Sequence, residues 1–342
     1  MSARLVLGLD VGGTSTRALA ADAASGQRLG IGRASGGNPI ARGVSRAAEN
    51  IGAAMREALA GHDAGEVEAC VVGMAGESKV AAEPGTAAVF AALWQAVGLR
   101  CEVRIVSDVA AAFAAGTPES DGSVLIAGTG AVAAEMVGRR PCRWRDGNGW
   151  LLGDDGSGFW IGRQAVRAAL AALDGSGPRS ALLHNVIAAY LDPIPKPPEG
   201  GEPGETRFLA SALIAAVNER PPVDLAALVP RVLAGAAAAD PVAQHVLAEA
   251  ARLLVAALCH IREPGDTTPI VLAGGVLQPG MHVDLLVRAA LAETWPDAPV
   301  HAATDGAAGA AWLAALTQAP DPALHAQLMA EGGTGDARTR LG

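Results

Sequence analysis

Residues 143–162, RWRDGNGWLLGDDGSGFWIG, gather side chains that are scarce elsewhere in the chain. There are six Trp, four Phe and one Tyr in 342 residues, yet Trp144, Trp150, Phe159 and Trp160 all fall in this segment. Asp146, Asp154 and Asp155 are interleaved with them, along with a run of glycines. A structural core takes rings without acids, and a surface loop takes acids without rings. A pocket for a polar, ring-shaped ligand takes both: carboxylates for the groups on its edge, rings for its apolar faces, and glycines so that backbone can wrap it closely. Asp146, Gly147 and Asp154 are the candidates for polar contacts, with Trp150 as a wall. Phe159 and Trp160 read as packing the following helix into the core. Gly156 and Ser157 open that helix, with Ser157 as its N-cap.

A second kind of chemistry is written at three strand ends. Gly12, Gly13 and Thr14, with Thr16 close behind, follow the apolar run LVLGLDV. Gly128, Thr129 and Gly130 follow SVLIA, and Gly274 and Gly275 follow PIVLA. Glycines at such turns let backbone amides approach an anion closely. Any one of them reads as an ordinary tight turn. Two in duplicated halves, facing across a cleft, can clamp the phosphates of a nucleotide from both sides. Asp10 stands just before the first turn, where a carboxylate would repel polyphosphate unless a cation intervened. That points to Mg²⁺ held through water, against the plainer reading of a strand-end Asp capping a turn.

Two further positions carry alternatives. Asp108, at the end of VRIVSD, is placed either to take a proton from an attacking hydroxyl or to cap a helix, and the cap fits Ser107 equally well. Asn38, in SGGNP, is favoured by the sequence alone as an Asx turn before Pro39.

The elements that would position these residues begin with a hairpin rather than a strand–loop–helix unit. RLVLGLD, then GGTST, then the strand-like RALAAD and LGIGRA exclude a dinucleotide-binding βαβ. Helical spacing covers 43–60 and 86–98, CVVGMAG reads as a buried strand, and a strand over 103–108 precedes the helical VAAAFAAG. The pattern then restarts: SVLIAGTGAVAAEMVG repeats the theme of LVLGLDVGGTSTRALA about 120 residues later. This predicts an α/β fold with mixed sheets in two related halves. Residues 159–258 read as mostly helical, interrupted by the Pro/Gly/Glu-rich stretch 192–205. A strand at 269–277, a helix at 280–293, a short strand near 299–302 and a last helix in TDGAAGAAWLAAL complete the order. Residues beyond 319 read as a weakly ordered tail.

Bulk composition narrows the function classes. The formal charge is −9 and the only lysines are Lys79 and Lys196, so no basic stripe exists to displace counterions from nucleic acid. Half the residues are hydrophobic and 18% charged, which is a globular composition. The N-terminus reaches Asp10 too soon for a signal peptide. No stretch is read as a membrane helix of about 20 apolar residues. Cys70, Cys101, Cys142 and Cys259 lie far apart and read as buried small hydrophobes in a reducing compartment, hence the cytoplasm.

Taken together, LGLDVGGTSTRALA, LIAGTGAVAAE and VLAGGVL resemble the phosphate and nucleoside motifs of the sugar kinase/heat-shock ATPase/actin superfamily, over residues 4 to about 317. The order of motifs, with DGNGWLLGDDGSGFWIG, is most similar to the N-acetylglucosamine kinase branch and, within it, to glucosamine kinases of actinobacterial type. The resemblance implies two ribonuclease H-like domains, 1–117 plus 305–342 and 118–304, with the last helix returning to the first domain. It implies ATP and Mg²⁺, an amino sugar bound in the cleft, and a homodimer, with neither nucleic acid nor membrane as partner. Asp108 would face the 6-hydroxyl, and Asn38, Gly76, Thr129 and Asp154 would contact the sugar, with Glu77 and Ser78 nearby.

One departure bears on the substrate. In acetylhexosamine kinases the second turn is followed by Ser-Asn, whereas here Ala131 and Val132 follow Gly130. Asp146, Asp154, Asp155 and Glu135 near one pocket would repel each other unless a cation sat among them. The ammonium of free glucosamine answers that need, and a neutral acetamide does not. An N-acetylglucosamine kinase or a broader hexose kinase is the alternative. More remote is an activating ATPase of radical dehydratases, which needs cysteines beside these motifs to hold an iron–sulfur cluster.

Overall fold

LVLGLDV is apolar at nearly every position because it becomes an inner strand of a sheet covered on both faces. In the computed structural model, which describes residues 4–77, 83–195, 204–303, 305–316 and 321–330, this run is β1 (Leu5–Val11). It pairs antiparallel with β2 (Ser15–Asp22), which pairs with β3 (Arg28–Ser35). On its other side β1 runs parallel to β4 (Ala69–Met74), and β4 to β5 (Val103–Val106), giving the order β3-β2-β1-β4-β5. The second sheet repeats this path. An antiparallel meander of β6 (Gly122–Ala127), β7 (Ala131–Val137) and β8 (Arg140–Asp146) carries the parallel strands β9 (Ile270–Ala273) and β10 (Val300–Ala302), in the order β10-β9-β6-β7-β8. The α/β fold with two mixed sheets and the duplication are therefore as the repeat predicts. The meander strand β8 went unread, because RPCRWRD forms an edge exposed on both faces and carries no buried apolar stripe.

In the first half, α1 (Pro39–Arg42), α2 (Val44–Ala58), α3 (Pro84–Val97) and α4 (Asp108–Gly116) follow the meander. Helix α4 lies between the sheets. Its Ala111 and Ala114 pack with Val6 and Val71 of the first sheet, while Val109, Ala110 and Phe113 pack with Val124, Ala134 and Val271 of the second. The second half adds α5 (Gly158–Asp174), α6 (Ala181–Tyr190), α7 (Glu205–Asn218), α8 (Val229–Ala237), α9 (Pro241–Cys259) and α10 (His282–Thr294). The chain then returns to the first sheet as α11 (Gly306–Ala315), packed on β1, β4 and α4.

That return depends on the absence of side chains at two contacts. A Cβ at Gly8 would fall on the backbone of Ala307 and Ala311, and one at Gly309 on the backbone of Ala111 and Ala115. Neither obstacle is a flexible side-chain end, so the helix itself must shift. Gly8→Ala is expected to cost about 1–3 kcal/mol of stability, as overpacking does. Gly85→Ala, on an exposed helical face with nothing within 4 Å of the new methyl, should be neutral or stabilising. Thermal melts of the two variants compare them directly.

Several expectations are corrected. Part of the tail beyond 319 is ordered: α12 (Pro322–Ala330) buries His325 and Leu328, and His325 Nε2 lies 2.8 Å from the Ala114 carbonyl oxygen. Strand β5 stops at Val106, so Asp108 belongs to α4 rather than ending the strand. Only Cys70 is buried; Cys101 is half-buried, and Cys142 and Cys259 are exposed. Helix α9 is 19 residues long with a mean hydropathy of 1.5, enough to cross a membrane by length and composition. Its Val246, Leu247, Ala250 and Leu254 are buried in the core of the second half, the packing of a central helix. Ser78, Lys79, Lys196 and most of 192–205 lie outside the described residues.

Candidate functional site

The carboxyl end of β1 and the segment that follows β10 meet at Asp10. Asp10 is the penultimate residue of β1 and pairs with Arg17 on β2. Beyond β10, Asp305 and Gly306 bring the first turn of α11 against it. A Cβ on Gly306 would lie 2.8 Å from Asp10 Cγ and Oδ2, so only glycine lets the helix approach this carboxylate. Burial, Asp108 and Asp305 push the Asp10 carboxyl up to about 6, with Arg17 offsetting only part of the rise. Hard oxygen donors in a carboxylate-rich setting that raises their own proton affinity suit a divalent cation. Among the described residues no three acids, His or Cys are grouped to enclose a metal. An ion held by one or two carboxylates, and completed by water and phosphate, is the arrangement Mg²⁺ favours.

Helix α4 opens beside Asp10, and the ambiguity between Ser107 and Asp108 is resolved there. Ser107 is the N-cap, its Oγ accepting from Ala110 N at 3.2 Å. Asp108 occupies the first turn, where its Oδ1 accepts from Val109 N at 3.0 Å. Burial raises its carboxyl and Glu77 adds to this, against the lowering by the Val109 amide. The boundary between the sheets thus holds a carboxylate that is not spent on capping and has a raised proton affinity.

The glycine turns are built to leave amides free. In the first, Gly12 N donates to Ser15 O at 2.9 Å and Gly12 O accepts from Gly37 and Asn38 N, so the loop 36–38 is laid over it. In the second, Gly128 N donates to Gly130 O at 2.9 Å, and Gly128 O and Thr129 O accept from Gly158 and Phe159 N at the start of α5. Gly13, Thr14, Thr129 and Gly130 stand at the tips, with their amides outside these turn bonds among the described residues. Gly274, at φ 94°, packs on the backbone of Ala127 and Gly128, and Gly275 begins the turn that follows. The second and third motifs therefore form one surface. Thr16 is different: it is fully buried and its Oγ1 donates to Ser35 O at 2.9 Å, which places it beneath the first loop.

The segment 143–162 folds around its own acids. Asp146 and Asp154 both adopt left-handed backbone, φ 68° and 60°, a region where Asp is more at home than most residues. The Asp146 carboxylate accepts from Asp154 N at 2.6 Å and Asp155 N at 2.8 Å, cinching the loop. Asp154 Oδ1 accepts from Ala131 N at 3.1 Å and the carboxylate rests against Gly130, so it borders the second turn. Burial raises the Asp154 carboxyl; the Ala131 amide opposes this, and Asp146 and Asp155 add to it. Gly147 donates to Ala131 O at 2.9 Å, completing the seam. Ser157 caps α5, accepting from Trp160 N at 3.2 Å, and Phe159 is buried as expected. Trp150 is 39% exposed and tilts against Phe159 at 5.7 Å between centroids. Glu135 does not join the acid group. Its carboxylate lies 3.6 Å from Arg143, its cross-strand partner. Asp155 is exposed, so the acids beside the second turn reduce to Asp146 and Asp154.

Asn38 and Gly76 lie on separate loops of the first half, Asn38 at the overlaid loop and Gly76, at φ 84°, just beyond β4. Arg17 and Asp305 were missed by sequence reasoning. Arg17 becomes visible only through the register of the hairpin. Asp305 caps α11, its Oδ1 accepting from Ala308 N at 3.2 Å.

Comparison with known proteins adds to this geometry. A curated N-acetyl-D-glucosamine kinase of Dictyostelium discoideum is 31% identical over 194 residues, 53% of this chain and 59% of that protein. An N-acetylmuramic acid/N-acetylglucosamine kinase of Clostridium acetobutylicum is 29% identical over 93 residues, 27% of this chain and 30% of that protein. These matches thus span less than two thirds of either relative. A candidate N-acetylglucosamine kinase from Chromobacterium violaceum shares the fold at TM-score 0.67 and 23% identity, covering 92% of this chain and 100% of that one. So does a ROK family glucokinase from Streptomyces griseus in complex with glucose and AMPPNP, at TM-score 0.52 and 22% identity, with 91% and 99% covered. Over residues 7–314, nearly the whole described fold, the chain belongs to the BadF/BadG/BcrA/BcrD ATPase family.

Proposed function

We propose that the chain is an ATP-dependent kinase that phosphorylates the 6-hydroxyl of D-glucosamine. The observation that carries the reading is the placement of Asp10 near Asp108 at the boundary of two glycine-tipped sheets: burial and Asp108 raise the Asp10 carboxyl, and burial with Glu77 raises that of Asp108. Transfer of a phosphoryl group needs positioning, charge neutralisation and a group that accepts the hydroxyl proton. Gly13, Thr14, Thr129 and Gly130 offer backbone amides to the phosphates, with Gly274 and Gly275 on the nucleoside side. Mg²⁺, when bound by Asp10, neutralises phosphate charge. Asp108 accepts the proton of the 6-hydroxyl as that oxygen bonds to the γ-phosphorus and the bond to the bridging oxygen breaks, releasing ADP. A raised proton affinity at Asp108 favours this role, because a stronger base takes the proton more readily.

The choice of amino sugar rests on charge. Val132 lies opposite Asp146 in the sheet and against Gly147, so the wall that carries Ser-Asn in the resembled acetylhexosamine kinases is apolar here. Asp154 borders that wall with its carboxylate only partly spent on Ala131 N. A charge-assisted hydrogen bond to the substrate ammonium is the natural use of the remainder. Asp154→Asn keeps an oxygen for the Ala131 amide and removes only the charge. We expect its loss of kcat/KM to be about tenfold larger on glucosamine than on glucose. Equal losses on both sugars, or a preference of the wild type for N-acetylglucosamine, would contradict the ammonium reading and leave an acetylhexosamine kinase.

A further inference from the structure

The first glycine turn presents two successive carbonyls to one loop. Gly12 O accepts from Gly37 N at 3.1 Å and from Asn38 N at 3.2 Å. Gly13 O accepts from Nε of Arg42, the last residue of α1, at 3.2 Å. A Cβ on Gly36 would strike the Gly13 carbonyl and lie 2.9 Å from Thr14 N, so only glycine lets residue 36 press on that peptide. The loop is anchored in turn. Asn50 Nδ2 of α2 donates to Gly36 O at 2.8 Å, and Arg42 N donates to Asn38 O at 3.0 Å.

In a planar trans peptide the C=O and the N–H that follows it point in opposite directions. Holding the Gly12 and Gly13 carbonyls against residues 36–42 therefore turns the Gly13 and Thr14 amides away from that loop. Neither amide donates to another group among the described residues. Successive amides facing one way form an anion site. Arg42 adds charge to this geometry, because a guanidinium never gives up its proton in a protein. Its bond draws electron density onto the Gly13 oxygen and makes the Thr14 N–H a stronger donor. We propose that Arg42 is a positioning residue for nucleotide binding: it orients and polarises the Gly13–Thr14 peptide from the carbonyl side, so that the amide grips phosphate on the other. This inference rests on the reading of the first turn as a phosphate site, and not on the choice of sugar.

The test is calorimetric binding of MgADP and Mg-AMPPNP, with the Thr14 amide proton resonance of the nucleotide-free protein and the melting temperature recorded alongside. Arg42→Met keeps the aliphatic stem and removes the guanidinium. It is expected to weaken nucleotide binding about tenfold and to move the Thr14 amide proton upfield. Arg42 is exposed, so the melting temperature should barely change. Arg42→Lys retains a cationic donor and should recover most of both effects. Arg46→Met removes the same charge from α2, where Arg46 pairs with Glu49 at 3.0 Å, and should alter neither. Unchanged affinity in Arg42→Met, an equal loss in Arg46→Met, or a loss with no movement of the Thr14 resonance would overturn the proposal. A wild type that binds neither nucleotide would overturn it together with the phosphate reading of the turn. Nucleotide binding that depends on Arg42, beside turnover indifferent to sugars, would support it and contradict the kinase reading alone.

Discussion

Asp108→Asn is expected to lower kcat by about 10²–10⁴-fold, the range that a positioned general base supplies. The substitution is nearly isosteric, and its amide oxygen can still accept from Val109 N. Helix α4 should stay intact, because its cap is Ser107 and not Asp108. Melting temperature should therefore be little changed, and ATP binding should survive. The converse variant makes the assignment sharp: Ser107→Ala should cost about 0.5–2 kcal/mol of stability, the usual loss of a cap, with most of kcat retained. Single-turnover phosphoryl transfer and thermal melts of both variants separate the roles. If Asp108→Asn lost stability and kept its rate, the carboxylate would be structural.

Asp10→Asn carries the second large effect, and here stability and activity are expected to move in opposite directions. The Asp10 carboxyl sits at about 6 against an ordinary 3.8. A group whose proton affinity is raised by folding stabilises the fold while protonated, fully below its unfolded value, and loses that contribution as pH rises through its folded value. Asparagine cannot ionise. The nucleotide-free variant should therefore exceed the wild type in stability at pH 7–8 by about 2–3 kcal/mol, with the difference vanishing below about pH 4. Mg²⁺-dependent ATP turnover should collapse in the same variant. Urea unfolding across pH, with and without MgATP, checks both. A variant less stable than wild type at pH 8 would mean that Asp10 is satisfied in the free protein and is not waiting for a cation.

The sequence made the duplication legible because it is carried by local pattern: apolar run, glycine tip, apolar run, twice over. Ser157 as a cap and Phe159 as core were readable for the same reason, since each is decided within four residues. What stayed hidden depends on partners remote in sequence. Glu135 looks like another pocket acid until the hairpin register places Arg143 beside it. Thr16 looks like part of the phosphate loop until β3 brings Ser35 O over its hydroxyl. Asp146 and Asp154 were recognised as important acids, but not that they fold their own loop through backbone amides. Strand β8 gave no signal because it is an edge strand exposed on both faces, so no buried face imposes an apolar stripe on it. Asp305 and Arg28 are the extreme case: their bond joins positions 277 apart, and neither residue stands in any motif.

The most direct measurement is ADP release from ATP and Mg²⁺ with glucosamine, N-acetylglucosamine and glucose, in the wild type and in Asp108→Asn. The account predicts sugar-dependent turnover, highest with glucosamine and lost in the variant. ATP turnover that is indifferent to all three sugars, or that persists unchanged without Asp108, would contradict it.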